Sequence, residues 1–242
     1  MTKQIFTPVI FLAFANDRGS GLGYLRNLPE EARQLRDVVE KAAAAGLCEV
    51  VIRQNVTTAE LLDVFQDARY RDRIALFHFG GHANGYQLLL ETVAGQPALA
   101  DAGGLAAFLG QQTGLELAFL NGCSTQEQAQ ALLDAGVSVV IATSQAINDA
   151  VATDFATRFY QGLASGASIQ TAFNEAVAAS KTAQGGQTRQ LYYVGAEDQP
   201  VATAERWPWA LYQRPGAERA AQWNLPQAVN DPLFGLPELP AM

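Results

Sequence analysis

IALFHFGGH, residues 74–82, decides how the rest of the chain is read. Residues 74–79 form an apolar run of strand length that stops at Gly80-Gly81, the pattern of a strand buried inside a sheet. Runs of the same kind recur at 8–15 (PVIFLAFA), 47–52, 115–120 (LELAFL) and 137–143 (VSVVIAT), and 190–194 is a candidate sixth strand. Helical patterns lie between them. Asn27 is placed to cap one, with Pro29 in its first turn and Glu30 three residues on, as in a capping box. Leu35, Val38, Val39 and Ala42 follow at helical spacing, and Gly46 stops it. Thr57 to Glu60 is a second capping box, opening a helix with Leu61, Leu62 and Phe65 on one face. Further helices are predicted over about 104–111, 126–133, 149–162 and 168–180, and a small hairpin over 86–98 with its turn near Gly95. Strand–helix alternation at this rhythm predicts an α/β fold: an open, mostly parallel six-stranded sheet with helices on both faces.

The chain has 242 residues, 49% of them hydrophobic and 17% charged, which suits one sizeable soluble domain. Its formal net charge of -8 disfavours binding to a phosphate backbone, so no nucleic-acid partner is expected. Two Cys give no disulfide framework and suit a reducing compartment, so the expected location is cytoplasmic. The apolar run at 8–15 is too short to span a bilayer and no small-residue cleavage site follows it, so neither a membrane partner nor a secretory signal is expected. From Pro200 the composition changes. Proline becomes frequent, and Trp207 and Trp209 appear. Residues 204–213 are expected to pack against the domain, giving a domain over 1–215 and a Pro-rich tail or linker over 216–242.

In open α/β sheets, ligands bind outside the carboxyl ends of the strands. Asn16-Asp17-Arg18, His78 to His82, Asn121 to Ser124 and 144–149 all leave such ends. His78 and His82 are the two His of the chain, and Cys123 is one of its two Cys. A Cys and a His brought together perform acyl transfer, with the thiolate as nucleophile and His holding or returning the proton. Gly122 allows a sharp turn exposing Cys123, and a helix from about Ser124 would bring its positive end to the sulfur. The plainer reading is a buried Cys and a structural His, each common. Cys48 reads as inert packing. Gly19, Gly21 and Gly23 are spaced as G-x-G-x-G, not as a dinucleotide fingerprint, and residues 53–55 offer no acid for a ribose. His78, His82 and Cys123 lack an acid to complete a metal set. No cofactor or metal is expected.

At these residues the sequence resembles a known family. FHFGGHANG (77–85) and LAFLNGCST (117–125) are similar to the two catalytic motifs of CHAT domains, caspase-like cysteine peptidases of the clan that includes caspases, metacaspases and separase. Residues 146–173 resemble the helical segment after the next strand, and PWALYQRPG (208–216) resembles the family's closing strand. The likeness covers about 5–215 and implies a caspase-like sheet and a cysteine endopeptidase. It assigns His82 as the catalytic His, Cys123 as the nucleophile, and the backbone amides of Ala83 and Cys123 as oxyanion donors. Ala83 stands where Gly is common, which raises the question of a positive φ there. His78 becomes a structural strand residue or a partner behind the dyad.

Asp149 is placed like an acid that pairs with a substrate Arg in separase-like relatives. It equally suits the N-cap of a helix from Ala150. Asp17 is a second substrate-binding candidate, or a turn residue. An acidic pocket favours Arg or Lys, whereas Arg18 or Arg26 would suit an acidic side chain. Residues 223–240 resemble the segment that follows such domains in multidomain bacterial signalling proteins, where the peptidase is fused to a nucleotide-binding module. No P-loop is present in this chain. The resemblance therefore implies a protein or peptide substrate, and a regulatory nucleotide-binding module in the same or another chain. The alternative is a catalytically silent scaffold or adaptor of the same fold.

Overall fold

The computed structural model describes residues 7–16, 23–92, 94, 96–184 and 207–226. In chain order the elements are β1 (Val9–Ala15), α1 (Leu28–Ala44), β2 (Glu49–Gln54), α2 (Thr58–Gln66) and β3 (Ile74–Gly81). There follow β4 (Gln87–Glu91), β5 (Pro97–Asp101), α3 (Ala102–Leu109), β6 (Leu117–Asn121), α4 (Gln126–Ala135) and β7 (Val139–Thr143). The chain continues through α5 (Asp149–Ala164), α6 (Ile169–Gln184), β8 (Trp209–Gln213) and α7 (Glu218–Ala221). Six strands form one sheet in the order β2-β1-β3-β6-β7-β8, and β4 and β5 form a separate antiparallel pair. Every pairing in the large sheet is parallel except that of β7 with β8.

Alternation along the strands builds two cores. Ile10, Leu12, Phe14, Leu76, Phe119 and Ile141 face α1, α5, α6 and α7. Val9, Phe11, Ala13, Phe77, Phe79 and Val140 face α2, α3 and α4. The central strands are buried on both faces, which explains their unbroken apolar sequence. Aromatic rings fill the first core. Phe119 lies edge-on to His78, Phe155 and Phe159, and Trp209 stacks on Phe155 at 4.6 Å.

The second capping box is present as expected. Thr57 Oγ1 accepts from the Glu60 N–H at 3.1 Å, and Glu60 Oε2 accepts from the Thr57 N–H at 3.0 Å. The first one is not. The Asn27 side chain makes no cap hydrogen bond. Its backbone N–H donates instead to Asp149 Oδ2 at 2.8 Å, across 122 residues of sequence. The sixth strand is β8, the antiparallel closing strand. The candidate at 190–194 lies outside the described residues, as does Asp17. Residues 217–226, read from sequence as the start of a tail, are packed here. Ala217, Ala220, Ala221 and Leu225 are buried in the first core, and the Ile169 N–H donates to the Trp223 carbonyl. No helix among the described residues is long and apolar enough to cross a membrane.

Candidate active site

The chain leaves β1 toward one face of the sheet, through α1, and leaves β3 toward the other. A crevice opens between their carboxyl ends, where ligands bind in sheets of this type. His82 follows β3 and Cys123 lies just beyond β6. The two strands are in parallel register, Gly80 opposite Asn121, so His82 and Cys123 stand opposite each other two residues past the last pair. Both line one cavity of about 30 Å³, with Asp149, Glu31, Asn121 and Leu28 among its walls.

Gly122 permits this approach by its size. A Cβ there would sit 2.7 Å from Ala83 Cβ and 2.9 Å from the Gly81 carbonyl oxygen. The left-handed residue that turns the chain is not Gly122 but Ser124, at φ 52. A non-glycine in that conformation costs about 1–2 kcal/mol, and such strain persists where the surroundings enforce it. Here they do. The Ser124 N–H donates to the Gln145 carbonyl, the Thr143 hydroxyl to the Gly122 carbonyl, and the Thr143 N–H to Thr125 Oγ1 at 3.0 Å. Helix α4 starts at Gln126, as its pattern suggested, and Ser124 lies in the turn before it and not in its first turn.

His82 Nε2 lies 2.7 Å from the Gly23 carbonyl oxygen. A carbonyl only accepts, so Nε2 carries the proton and Nδ1 is the basic nitrogen. Nδ1 has no hydrogen-bond partner among the described residues. The segment carrying Gly23 is tied down two residues on by Asn16, whose Oδ1 accepts from the Leu25 N–H at 2.8 Å and whose Nδ2 donates to the Leu25 carbonyl at 2.9 Å. Asn16→Ala is expected to free the Gly23 carbonyl and mix the two tautomers of His82. Imidazole ¹⁵N shifts read this directly, since the chain has 2 His. An unchanged spectrum would show that Asn16 does not position the ring.

The N–H groups of Ala83 and Cys123 make no hydrogen bond with any described residue. In the bridge between Ala83 and Leu88, the bonds run from Leu89 N–H to the His82 carbonyl and from Asn84 N–H to the Gln87 carbonyl. The Ala83 amide is thereby left over. Ala83 is not among the residues with positive φ, so its Cβ is no obstacle to this backbone.

Asp149 is the first residue of α5 and half-buried on the cleft wall. It is not the N-cap. Asn148 is, with Oδ1 accepting from the Ala150 and Val151 N–H groups. His78 lies elsewhere, fully buried among Phe14, Phe119 and Tyr160. Its Nε2 is 3.1 Å from Glu31 Oε1, and its buried Nδ1 has no partner among the described residues. Among the described residues, no three His, Cys, Asp or Glu cluster to hold a metal ion.

Sequence reasoning missed Glu31. It belongs to the apolar stripe Leu28, Glu31, Ala32, Leu35 of α1, all buried, and an acid on such a stripe was the available signal. Sequence reasoning placed Asn121 at a strand end but gave it no role; its Nδ2 donates to Glu31 Oε1 at 2.9 Å and its Oδ1 accepts from Trp209 Nε1 at 3.1 Å.

Among solved structures, the fold is similar to the Drosophila initiator caspase Dronc, with a TM-score of 0.53 at 10% identity over 88% of this chain and 82% of that one. A secreted C11 cysteine protease from Bacteroides thetaiotaomicron, solved with an irreversible peptide inhibitor, also matches. Its TM-score is 0.44 at 9% identity, over 59% of this chain and 50% of that one. No curated protein matches the chain. The sheet order and the first of these likenesses define a caspase-like α/β fold. The CHAT domain family model matches residues 3–217, and the chain belongs to that family.

Proposed function

We propose that the protein is a cysteine endopeptidase using Cys123 and His82. The observation that carries this reading is the register of β3 and β6, with His82 opposite Cys123 on one cleft beside two backbone N–H groups that have no partner among the described residues. His82 Nδ1 takes the Cys123 thiol proton, and the thiolate attacks a peptide carbonyl carbon, forming a C–S bond as the carbonyl π pair moves onto oxygen. The Ala83 and Cys123 amides hold the oxyanion. The C–N bond then breaks as His82 gives its proton to the leaving amine. Water adds to the thioester, losing a proton to His82, and the thiolate leaves.

Asp149 is proposed to contact the substrate, supported by its position on the same cleft wall. A protein substrate, a cytoplasmic location and control by a nucleotide-binding signalling module complete the reading. The cavity gives some support to control, since about 30 Å³ holds only a water or two and not a peptide side chain. The same small volume is the observation favouring the second reading, a silent scaffold.

Labelling by a peptide-based electrophile, with hydrolysis of a fluorogenic peptide library, tests the proposal. Wild type should be alkylated at Cys123 and cleave peptides. Cys123→Ala should do neither. Cys48 is the internal control: it is 4% exposed, and burial pushes its thiol up to about 11. No labelling and no cleavage in wild type would leave the scaffold reading.

A further inference from the structure

The dyad makes no use of Gln128, a buried amide in the first turn of α4, the helix that follows the nucleophile. Its Nε2 carries two hydrogens, and both are donated to one loop: to the Asn84 carbonyl and, at 3.1 Å, to the Gln87 carbonyl. That loop continues directly from His82 and Ala83, and its other hydrogen bonds close it on itself. Asn84 Oδ1 accepts from the Tyr86 and Gln87 N–H groups at 2.8 and 2.9 Å, and the Asn84 N–H donates to the Gln87 carbonyl at 3.0 Å. The large sheet gives this loop no anchor on the nucleophile's side. The pairing of β3 with β6 ends at Gly80 and Asn121, and β4 belongs to the separate two-stranded sheet. Among the described residues, the two bonds of Gln128 are the hydrogen bonds that join residues 83–87 to residues 121–135. The same seam is close-packed. A Cβ on Gly85 would lie 2.9 Å from Glu127 Oε2, just as one on Gly122 would meet Ala83. The helix end that bears Gln128 is fixed in turn, because Thr125 accepts from the Thr143 N–H of β7.

We propose that Gln128 is a positioning residue, and that its carboxamide sets the spacing between the Ala83 and Cys123 amides by tying the loop after His82 to the helix after Cys123. This rests on the peptidase reading. Two backbone donors stabilise an oxyanion only if they are held at hydrogen-bond distance from its place before the charge develops. One of the two belongs to a loop outside the sheet, so its place is only as firm as the bonds that hold that loop. A displacement of about 1 Å in such a frame costs about 10² in rate. Gln128 acts through the backbone of Asn84 and Gln87 and touches neither the thiol nor the imidazole.

The test uses the full chain and Q128M, which keeps the length and shape of the side chain and removes both donors. On a peptide substrate, kcat should fall by about 10–10²-fold with KM nearly unchanged. Alkylation of Cys123 by iodoacetamide should keep its wild-type rate, since displacement of iodide builds no oxyanion. A wild-type kcat overturns the proposal, and so does a variant in which KM and the alkylation rate deteriorate together with kcat, which would make Gln128 purely structural. Q128E differs from wild type by one atom and retains at most one donor. It should fall in the same direction, and it carries the test where Q128M does not fold. A second measurement needs no turnover. Hydrogen exchange at the Asn84 amide should be about tenfold faster in the variant, with the Phe77 and Leu120 amides at the centre of the sheet unchanged. Equal exchange at Asn84 overturns the clamp. A wild type that cleaves nothing, in which Asn84 exchange still responds to the substitution, keeps Gln128 as the residue that sets the loop and sinks the peptidase reading instead.

Discussion

His82→Ala should lower kcat/KM on a peptide substrate by about 10²–10⁴, the contribution of a positioned acid–base group. Its thermal stability should stay close to that of wild type. The imidazole is half-buried beyond the end of β3 and outside both cores, and the hydrogen bond it makes is to the Gly23 carbonyl. Losing it costs about 1 kcal/mol or less of folding free energy. The loss of rate has a different origin. Without the imidazole, the leaving amine departs with no acid to protonate it, and water reaches the thioester with no base. Initial rates and calorimetric melting of the same preparation separate the two effects. A variant that melts far below wild type would make His82 a structural residue, and one that keeps full rate would remove it from the mechanism.

Phe119→Ala should cost about 3–5 kcal/mol, the range for deleting a buried aromatic ring. Phe119 is 0% exposed and packs against His78 at 4.8 Å, Phe159 at 5.4 Å and Phe155 at 6.0 Å. These rings come from β3 and α5, so collapse into the void would have to move a strand or a helix. A domain of this size has about 5–15 kcal/mol to lose in total. Phe119 also pairs with His78 across the sheet, two residues before Asn121, so the ends of β3 and β6 loosen with it. Urea unfolding measures the cost. A value under about 1 kcal/mol would mean that the site repacks freely, against the density normal for protein interiors.

The strands at the centre of the sheet could be read from sequence because burial on both faces leaves unbroken apolar runs. At the edge, β2 is only partly buried and begins at Glu49, two residues later than its pattern suggested. That His82 and Cys123 share one cleft was legible because strand ends carrying Gly, His and Cys are chemically distinctive. What failed to show was contact between distant segments. Nothing near Asn27 says that its N–H will be claimed by Asp149. Asn148 and Asp149 are both good caps, and the choice falls to Asn148 because Asp149 is engaged by the facing loop. Glu31 sits beside Glu30 in a first turn where acids are ordinary. Only its place on the buried stripe marked it out. Gly122 was expected for its flexibility and is needed for its size, a distinction that only the neighbouring Ala83 reveals.

The hydrogen bond from Trp209 to Asn121 joins residues 88 positions apart, and Asn121 lies two residues before Cys123. On a translating ribosome, Cys123 and His82 emerge long before Trp209. Until β8 is synthesised and docks against β7, the Asn121 side chain lacks its indole and the end of β6 lacks its brace. The nascent chain therefore carries both reactive residues without the frame that aligns them. The cleft between β3 and β6 is thus completed only in the last stage of synthesis.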